Sequence, residues 1–310
     1  MKVSIIIPCF NERSTILQVI DKVRSMRMPR GVDKEILIID DGSADGCGAL
    51  LRERTAGMSD VRLHVSVINI GKGAALRVGL AMATGEIVAI QDADLELDPD
   101  EIPRLLEPIL AGKTDVVFGS RFLGPRRYGL TPAYMANRLL SWLTSALYRC
   151  PISDMETCYK VFRRSVLDGV RLRAVGFEIE PELTAKFLRL GHHIVEQPIS
   201  YVPRTNAEGK KIRAWDGLKA IYYLIKYRVI SHQRLLLPKP HAPASPTTAT
   251  PDAAPMAATG DRRVVLPRGG VIPLPDGAAA SQAAGEVDSI QRPAHVSDRA
   301  TTPAPRVAAR

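Results

Sequence analysis

Along the first 120 residues, short apolar runs alternate with longer stretches in which apolar positions recur every three or four residues. The runs are K-V-S-I-I-I (2–7), E-I-L-I-I (35–39), residues 61–67, I-V-A-I (87–90) and D-V-V-F-G (115–119). Runs this short and rich in Val and Ile predict buried strands. Between them, Ile16, Val19, Ile20 and Val23 share one helical face over 15–26, with Ser14 placed to cap it. Asp45 opens a second predicted helix to about 54. The turn N-I-G-K-G (69–73) leads into a third through Ala83, with Leu76, Leu80 and Ala83 inward, and Asp98-Pro99 starts a fourth to 110. This alternation predicts an α/β fold with a mostly parallel sheet covered by helices on both faces.

Several of these strands end in polar residues: Pro8-Cys9-Phe10-Asn11-Glu12, Asp40-Asp41, Gln91-Asp92-Ala93-Asp94 and Ser120-Arg121. A buried strand does not keep unpaired carboxylates, so the acids belong just past its C-terminal end, where open α/β sheets hold ligands. In extended chain Asp92 and Asp94 point the same way, which suits a hard divalent cation shared with a diphosphate. By itself D-x-D equally describes a solvated acidic turn; several polar strand ends along one edge favour a single ligand site. No G-x-G-x-x-G follows the first strand, which argues against a dinucleotide-dependent dehydrogenase.

Composition divides the chain. From Pro238 to Arg310 the sequence is Pro, Ala, Ser, Thr and Gly with scattered charges, and is expected to be a disordered tail after a single domain, 1–237. The patch R-V-V-L-P-R-G-G-V-I-P (263–273) reads as linker or as a docking segment. Of 42 Lys and Arg and 33 Asp and Glu, the tail holds 8 and 6, which leaves 34 against 27 before it. The basicity therefore belongs mainly to the domain and suits an anionic substrate or membrane surface. No nucleic-acid-binding motif is present, so no nucleic-acid partner is expected. Cys9, Cys47, Cys150 and Cys158 form no C-x-x-C pair, and Cys9 and Cys158 read as small packing residues. With no leader-like start and no run of about 18 apolar residues, a cytoplasmic protein is expected, at most peripheral at the inner face of the plasma membrane.

Two later segments bear on that surface. Residues 132–149 are apolar with Trp142, Tyr148 and flanking arginines, and residues 215–237 mix Leu and Ile with Tyr and Lys or Arg. Either can lie in a membrane interface or pack on the sheet; the second favours the interface. His192-His193, at a helix C-terminus, suit the helix dipole better than a metal.

Taken together, P-C-F-N-E (8–12), I-D-D-G-S (39–43), N-I-G-K-G-A-A-L (69–76) and Q-D-A-D (91–94) resemble a family 2 glycosyltransferase of GT-A fold. Downstream, D-M-E-T-C-Y-K-V-F (154–162), G-F-E-I-E-P-E-L (176–183) and P-R-T-N-A-E-G-K-K-I (203–212) resemble its polyprenyl (dolichol) phosphate mannosyltransferase branch. The resemblance covers residues 1 to about 230. It implies that a nucleotide sugar, GDP- or UDP-hexose, meets Pro8, Phe10, Glu12, Ile38, Asp40, Lys72, Asp92 and Ala93. It makes Asp94 a ligand of Mg²⁺ or Mn²⁺. Glu96, where the relatives often carry Gln, can join it, and Phe10 departs from the usual Tyr. Arg121 is expected at the diphosphate or the acceptor phosphate, and Arg204 with Lys210 or Lys211 in a basic loop over phosphates. Asp154 is the base if the acceptor is a sugar hydroxyl; otherwise it orients the acceptor or starts a turn.

The implied function is an inverting, metal-dependent transfer of a hexose to a polyprenyl phosphate at the cytoplasmic membrane face, in cell-envelope synthesis. The competing readings are transfer to a saccharide hydroxyl in surface polysaccharide, and a non-catalytic nucleotide-sugar-binding scaffold whose tail recruits partners.

Overall fold

The structure is a computed structural model. It describes residues 1–124, 131–204 and 214–237; Lys210, Lys211 and the tail 238–310 lie outside the described residues.

Among the described residues, seven strands form one sheet in the order β3-β2-β1-β4-β6-β5-β7. The strands are β1 (Lys2–Cys9), β2 (Asp33–Asp40), β3 (Val61–Val65), β4 (Ile87–Ile90), β5 (Val116–Ser120), β6 (Lys160–Arg163) and β7 (Ile194–Pro198). β1 is central: Ile5 stands opposite Ile36 of β2 on one side and Ala89 of β4 on the other, both parallel. Val3, Ile5, Ile6 and Ile7 of β1 and Ile87 to Ile90 of β4 are almost wholly buried. Each such side chain contributes roughly 1.5–3 kcal/mol by leaving water, which is why these runs form the middle of the sheet. From β3 the chain crosses back to β4 on the other side of β1. The crevice between the ends of β1 and β4 is therefore the topological switch point, where such sheets bind ligands.

Among the described residues, seven α-helices accompany the sheet: α1 (Ile16–Ser25), α2 (Cys47–Thr55), α3 (Lys72–Met82), α4 (Ile102–Leu110), α5 (Pro132–Tyr148), α6 (Ile179–Arg189) and α7 (Ala214–Val229). α1 buries the expected Ile16, Val19, Ile20 and Val23. Its cap position is Thr15 rather than Ser14, and the Thr15 hydroxyl donates to the Ala93 carbonyl at 2.9 Å. α2 starts after Gly46, one residue beyond the expected cap, and Asp45 still accepts from the Cys47 amide at 2.9 Å. In α3, Ala75, Leu76 and Gly79 face inward while Leu80 is half-buried. A Cβ on Gly79 would come within 2.4 Å of Ile6 Cγ2, so the bare backbone lets helix and sheet approach.

Three departures from the expected pattern matter. β3 stops at Val65, and Val67 is 97% exposed. The chain peels off there because the Asp41 carboxylate accepts from the amides of Ile70 and Gly71 at 3.1 and 2.6 Å. β6 is antiparallel to both β4 and β5, the one reversed strand of the sheet. His192 and His193 lie past the α6 cap residue Leu190 rather than in the helix's last turn, and the His192 ring sits edge-on to Phe187 at 6.4 Å.

α5 and α7 pack together and split their side chains. Leu140, Ala220, Leu224 and Tyr227 are buried; Met135, Leu139, Trp142, Trp215, Leu218, Tyr222, Ile225 and Val229 are exposed. Among the described residues no helix is long and apolar enough to cross a membrane.

Candidate active site

A cavity of about 690 Å³ opens at the crevice beyond β1 and β4. Pro8, Phe10 and Glu12 reach it from the end of β1. Asn11 takes φ = 50°, a left-handed conformation that Asn tolerates better than most residues. Its side-chain oxygen accepts from the Ala44 amide at 2.8 Å and its own amide donates to Ser43 Oγ at 2.8 Å. That turn swings Glu12 into the cavity.

At the end of β2 the parity differs from the expectation. Ile38 and Asp40 share a face and are buried, and neither lines the cavity. Asp40 accepts from the Ser43 hydroxyl and lies near the paired thiols of Cys9 and Cys47, 3.4 Å apart. Asp41 lines the cavity instead, and by holding Asn69, Ile70 and Gly71 it positions the turn that presents Lys72. A Cβ on Gly73 would meet the Ala174 carbonyl oxygen at 2.6 Å, so this turn seats tightly on the segment before α6.

Past β4 the acids meet two different cations. The Lys72 ammonium lies 2.9 Å from Asp92 and 3.0 Å from Glu180. Burial works to lower the affinity of Lys72 for its proton, but Asp92 and Glu180 outweigh it and hold the lysine charged. Burial likewise works to raise Asp92, and the Lys72 charge keeps it below the usual carboxylate range. Asp94 pairs with Arg204 Nη2 at 2.5 Å, and Arg204 Nη1 donates to both oxygens of Glu12 at 3.0 and 3.1 Å. Glu96 accepts from the Arg204 amide at 2.8 Å, and its carboxylate lies 3.7 Å from Arg204 Nε. Burial, with Asp92 and Glu96 close by, raises Asp94 to about 7 against the pull of Arg204. The chain bends through residues 93–97 rather than running extended, with Asp94 Oδ1 accepting from the Glu96 amide at 3.0 Å. The two aspartates thus share the cavity but not a partner.

Three carboxylates facing one guanidinium leave the Glu12, Asp94 and Glu96 cluster net negative. An excess of hard oxygen donors of this kind fits a divalent cation such as Mg²⁺ or Mn²⁺.

Beyond β5, Arg121 is held by Asp154 through a bidentate pair at 2.8 and 2.7 Å, and its own amide donates to Asp154 Oδ2 at 2.9 Å. Asp154 is fully buried and does not line the cavity, whereas Arg121 does. The geometry makes Asp154 the residue that positions Arg121. The acid that does reach the cavity from the same stretch is Glu156, with Oε1 fully buried and, among the described residues, without a hydrogen-bond partner. Burial, with Glu180 nearby, raises its carboxyl to about 7. Sequence reasoning also left Asp41, Glu180 and Tyr201 outside the candidate set, although all three line the cavity. Cys158, expected as packing, lines it too.

A switch-point crevice with a carboxylate cluster and three cations is the place and the chemistry with which open α/β sheets hold phosphorylated ligands. Comparison with known proteins makes the assignment specific. The model of glycosyl transferase family 2 matches residues 4–171, and the chain belongs to that family. It is 32% identical over 210 residues to a polyprenol monophosphomannose synthase of Mycolicibacterium smegmatis, covering 64% of this chain and 77% of that one. It is 29% identical over 239 residues to a dolichol-phosphate mannosyltransferase of Pyrococcus furiosus, covering 73% of this chain but 64%, under two thirds, of that enzyme. Among solved structures, glucosyl-3-phosphoglycerate synthase of Mycobacterium tuberculosis, bound to Mn²⁺, UDP and its product, superposes with a TM-score of 0.57. It is 23% identical, with 74% of this chain and 81% of that one covered, and shows the GT-A fold. The fold expectation holds: an α/β GT-A fold with a mostly parallel central sheet and helices around it.

Proposed function

We propose that this protein is an inverting glycosyltransferase that moves a hexose from a GDP- or UDP-sugar to a polyprenyl phosphate at the cytoplasmic face of a membrane. The observation that carries this reading is the single cavity in which Glu12, Asp94 and Glu96 face Arg204, with Lys72 and Arg121 lining the same walls. The names of the relatives, a polyprenol and a dolichol phosphate mannosyltransferase, support the acceptor class.

In this reading Pro8, Phe10 and Glu12 flank the nucleoside, and Lys72 holds Asp92 ready for the ribose side. Asp94 and Glu96 hold Mg²⁺ or Mn²⁺, which supplies charge neutralisation at the diphosphate. Arg121, fixed by Asp154, faces the phosphate of the donor or acceptor, and Arg204 turns from the acids to the diphosphate. The expected phosphate contacts of Lys210 and Lys211 lie outside the described residues. The acceptor phosphate is already ionised near neutral pH, so its oxygen attacks the anomeric carbon without a strong base. Attack in line with the departing diphosphate inverts the centre, and pre-aimed cations stabilise the leaving charge.

The exposed apolar and aromatic residues of α5 and α7 support peripheral membrane contact. Trp142, Trp215 and Tyr222 stand among Leu139, Leu218 and Ile225, with Lys219 and Lys226 alongside. Such a face suits the headgroup boundary. Residues 1–237 are proposed as the catalytic unit and 238–310 as an appended tail. The test is transfer of radiolabelled sugar from a panel of GDP- and UDP-sugars to undecaprenyl or dolichyl phosphate, with Mn²⁺ or Mg²⁺. Chelator-sensitive, chloroform-soluble label is the expected result. Nucleotide-sugar binding without lipid labelling would redirect the acceptor to a saccharide.

A further inference from the structure

Among the described residues, Glu156 is an acid of the cavity that is given neither a cation nor, at Oε1, a hydrogen-bond donor. Asp92 is matched by Lys72, Asp94, Glu96 and Glu12 by Arg204, and Asp154 by Arg121. Glu156 lines the same cavity as Arg121, and among the described residues its buried Oε1 meets no hydrogen-bonding group. A carboxylate with one oxygen buried and unpartnered costs more free energy ionised than neutral, so this side chain at the cavity wall favours the protonated acid, which has a proton to offer a group in the cavity.

We propose that Glu156 faces the acceptor phosphate and, as a neutral carboxylic acid, donates a hydrogen bond to it alongside Arg121. This rests on the polyprenyl phosphate reading of the acceptor. An ionised carboxylate so placed would repel the phosphate, whereas a neutral acid adds a donor. The surroundings favour the neutral form. Besides burial, Glu180 on α6 and Asp154 on its own loop oppose ionisation, against Lys160 on β6 and Arg121 past β5, and the carboxyl is raised to about 7. Lys160 is already taken up by Glu180 and by the carbonyls of Met155 and Thr157. In the transfer, a phosphate oxygen forms the new bond to the anomeric carbon and the bond from that carbon to the diphosphate oxygen breaks. The diphosphate leaves with the electron pair, and Glu156 keeps its proton throughout. Glu156 is thus a specificity-determining residue: neutral it admits a phosphate, while ionised it suits a hydroxyl whose proton it can accept.

The experiment measures kcat and KM for undecaprenyl phosphate between pH 6 and 9 with the full chain, E156Q and E156A, each checked by thermal melting. Gln keeps a neutral donor of the same shape. Wild type is expected to show KM for the lipid rising above about pH 7. E156Q should match it at pH 6.5 and lose that rise. E156A should raise KM roughly 10- to 100-fold, the size of a lost bond to a charged group, with kcat changing less. Abolition of transfer in a folded E156Q would make Glu156 a base and overturn the proposal. So would a pH profile identical in wild type and E156Q, which would make it a bystander. Failure of wild type itself to label any polyprenyl phosphate is a separate result: it removes the acceptor reading, and the proposal with it.

Discussion

Arg204 serves as the internal cation of the acid cluster, and its removal has a sign that is easy to get wrong. The guanidinium lies 3.0 Å from Glu12, 2.5 Å from Asp94 and 3.7 Å from Glu96. At an effective dielectric near 20, each contact is worth about 4 kcal/mol before desolvation and the mutual repulsion of the acids are subtracted. Breaking a fully buried pair costs about 3–5 kcal/mol. The Arg204 side chain is still 19% exposed and borders an open cavity, so about 2 kcal/mol is a fitting figure here. Arg204→Ala, in chelator at pH 8, should therefore lower the melting temperature by about 4–8 °C, at roughly 2–4 °C per kcal/mol for a domain of this size. Mn²⁺ alone should restore it, because the cluster then gains a different cation. In wild type the metal must displace the guanidinium, so the variant should bind Mn²⁺ without nucleotide roughly 30-fold more tightly, the equivalent of that same 2 kcal/mol. Sugar transfer should nevertheless fall, since the cavity loses a phosphate-facing charge. Calorimetric Mn²⁺ titration and melting in chelator are the assays. A variant that binds Mn²⁺ no better than wild type, or melts with it in chelator, would refute the idea that Arg204 and the metal share one site.

Lys72→Met should leave Asp92 without its cation and raise KM for the nucleotide sugar about 10-fold or more, read by steady-state transfer and by donor binding. Asp154→Ala removes a buried partner that holds Arg121 by three bonds. It should destabilise the domain by about 3–5 kcal/mol in urea unfolding. The milder Asp154→Asn should cut transfer without erasing any limb of its pH profile, since no base is lost; loss of a limb would restore the base role. Glu35, 5% exposed, is a structural acid at the far end of the sheet. Burial pushes it upward, but Ser4, the Thr84 amide and Lys2 outweigh that and hold it at about 2. A depressed carboxyl contributes stability above its unfolded value that is lost as pH falls toward the folded one. Glu35→Gln should therefore lower stability by about 1–3 kcal/mol at pH 7 and much less near pH 2, followed by urea unfolding at each pH.

What could be read from the sequence follows from the range of the interactions involved. β1, β2, β4 and β5 are legible because Val and Ile in a short run already specify a doubly covered strand, and the polar residues after them mark one edge. β6 is K-V-F-R, four residues with a charge at each end, and resembles a surface turn. It sits in the sheet because Lys160, wholly buried, finds Glu180 twenty residues later, along with two carbonyls. No local pattern contains that partner. The same limit explains the site. The choice between Asp40 and Asp41 depends on where β2 ends: Asp40 is its last residue and turns under the sheet, while Asp41 is the first free to face the crevice. Asp154 and Glu156 are two residues apart in one motif, and either can be imagined as the acid that meets the acceptor. Arg121, 33 residues earlier, decides between them by taking both oxygens of Asp154. Arg204 stands 110 residues from Asp94 and 192 from Glu12, yet it sets the charge both acids present. The acids of this site were visible one by one; their roles depend on which cation each meets, and those meetings are long-range. Substitutions that exchange a cation therefore discriminate between mechanisms here better than substitutions that delete an acid.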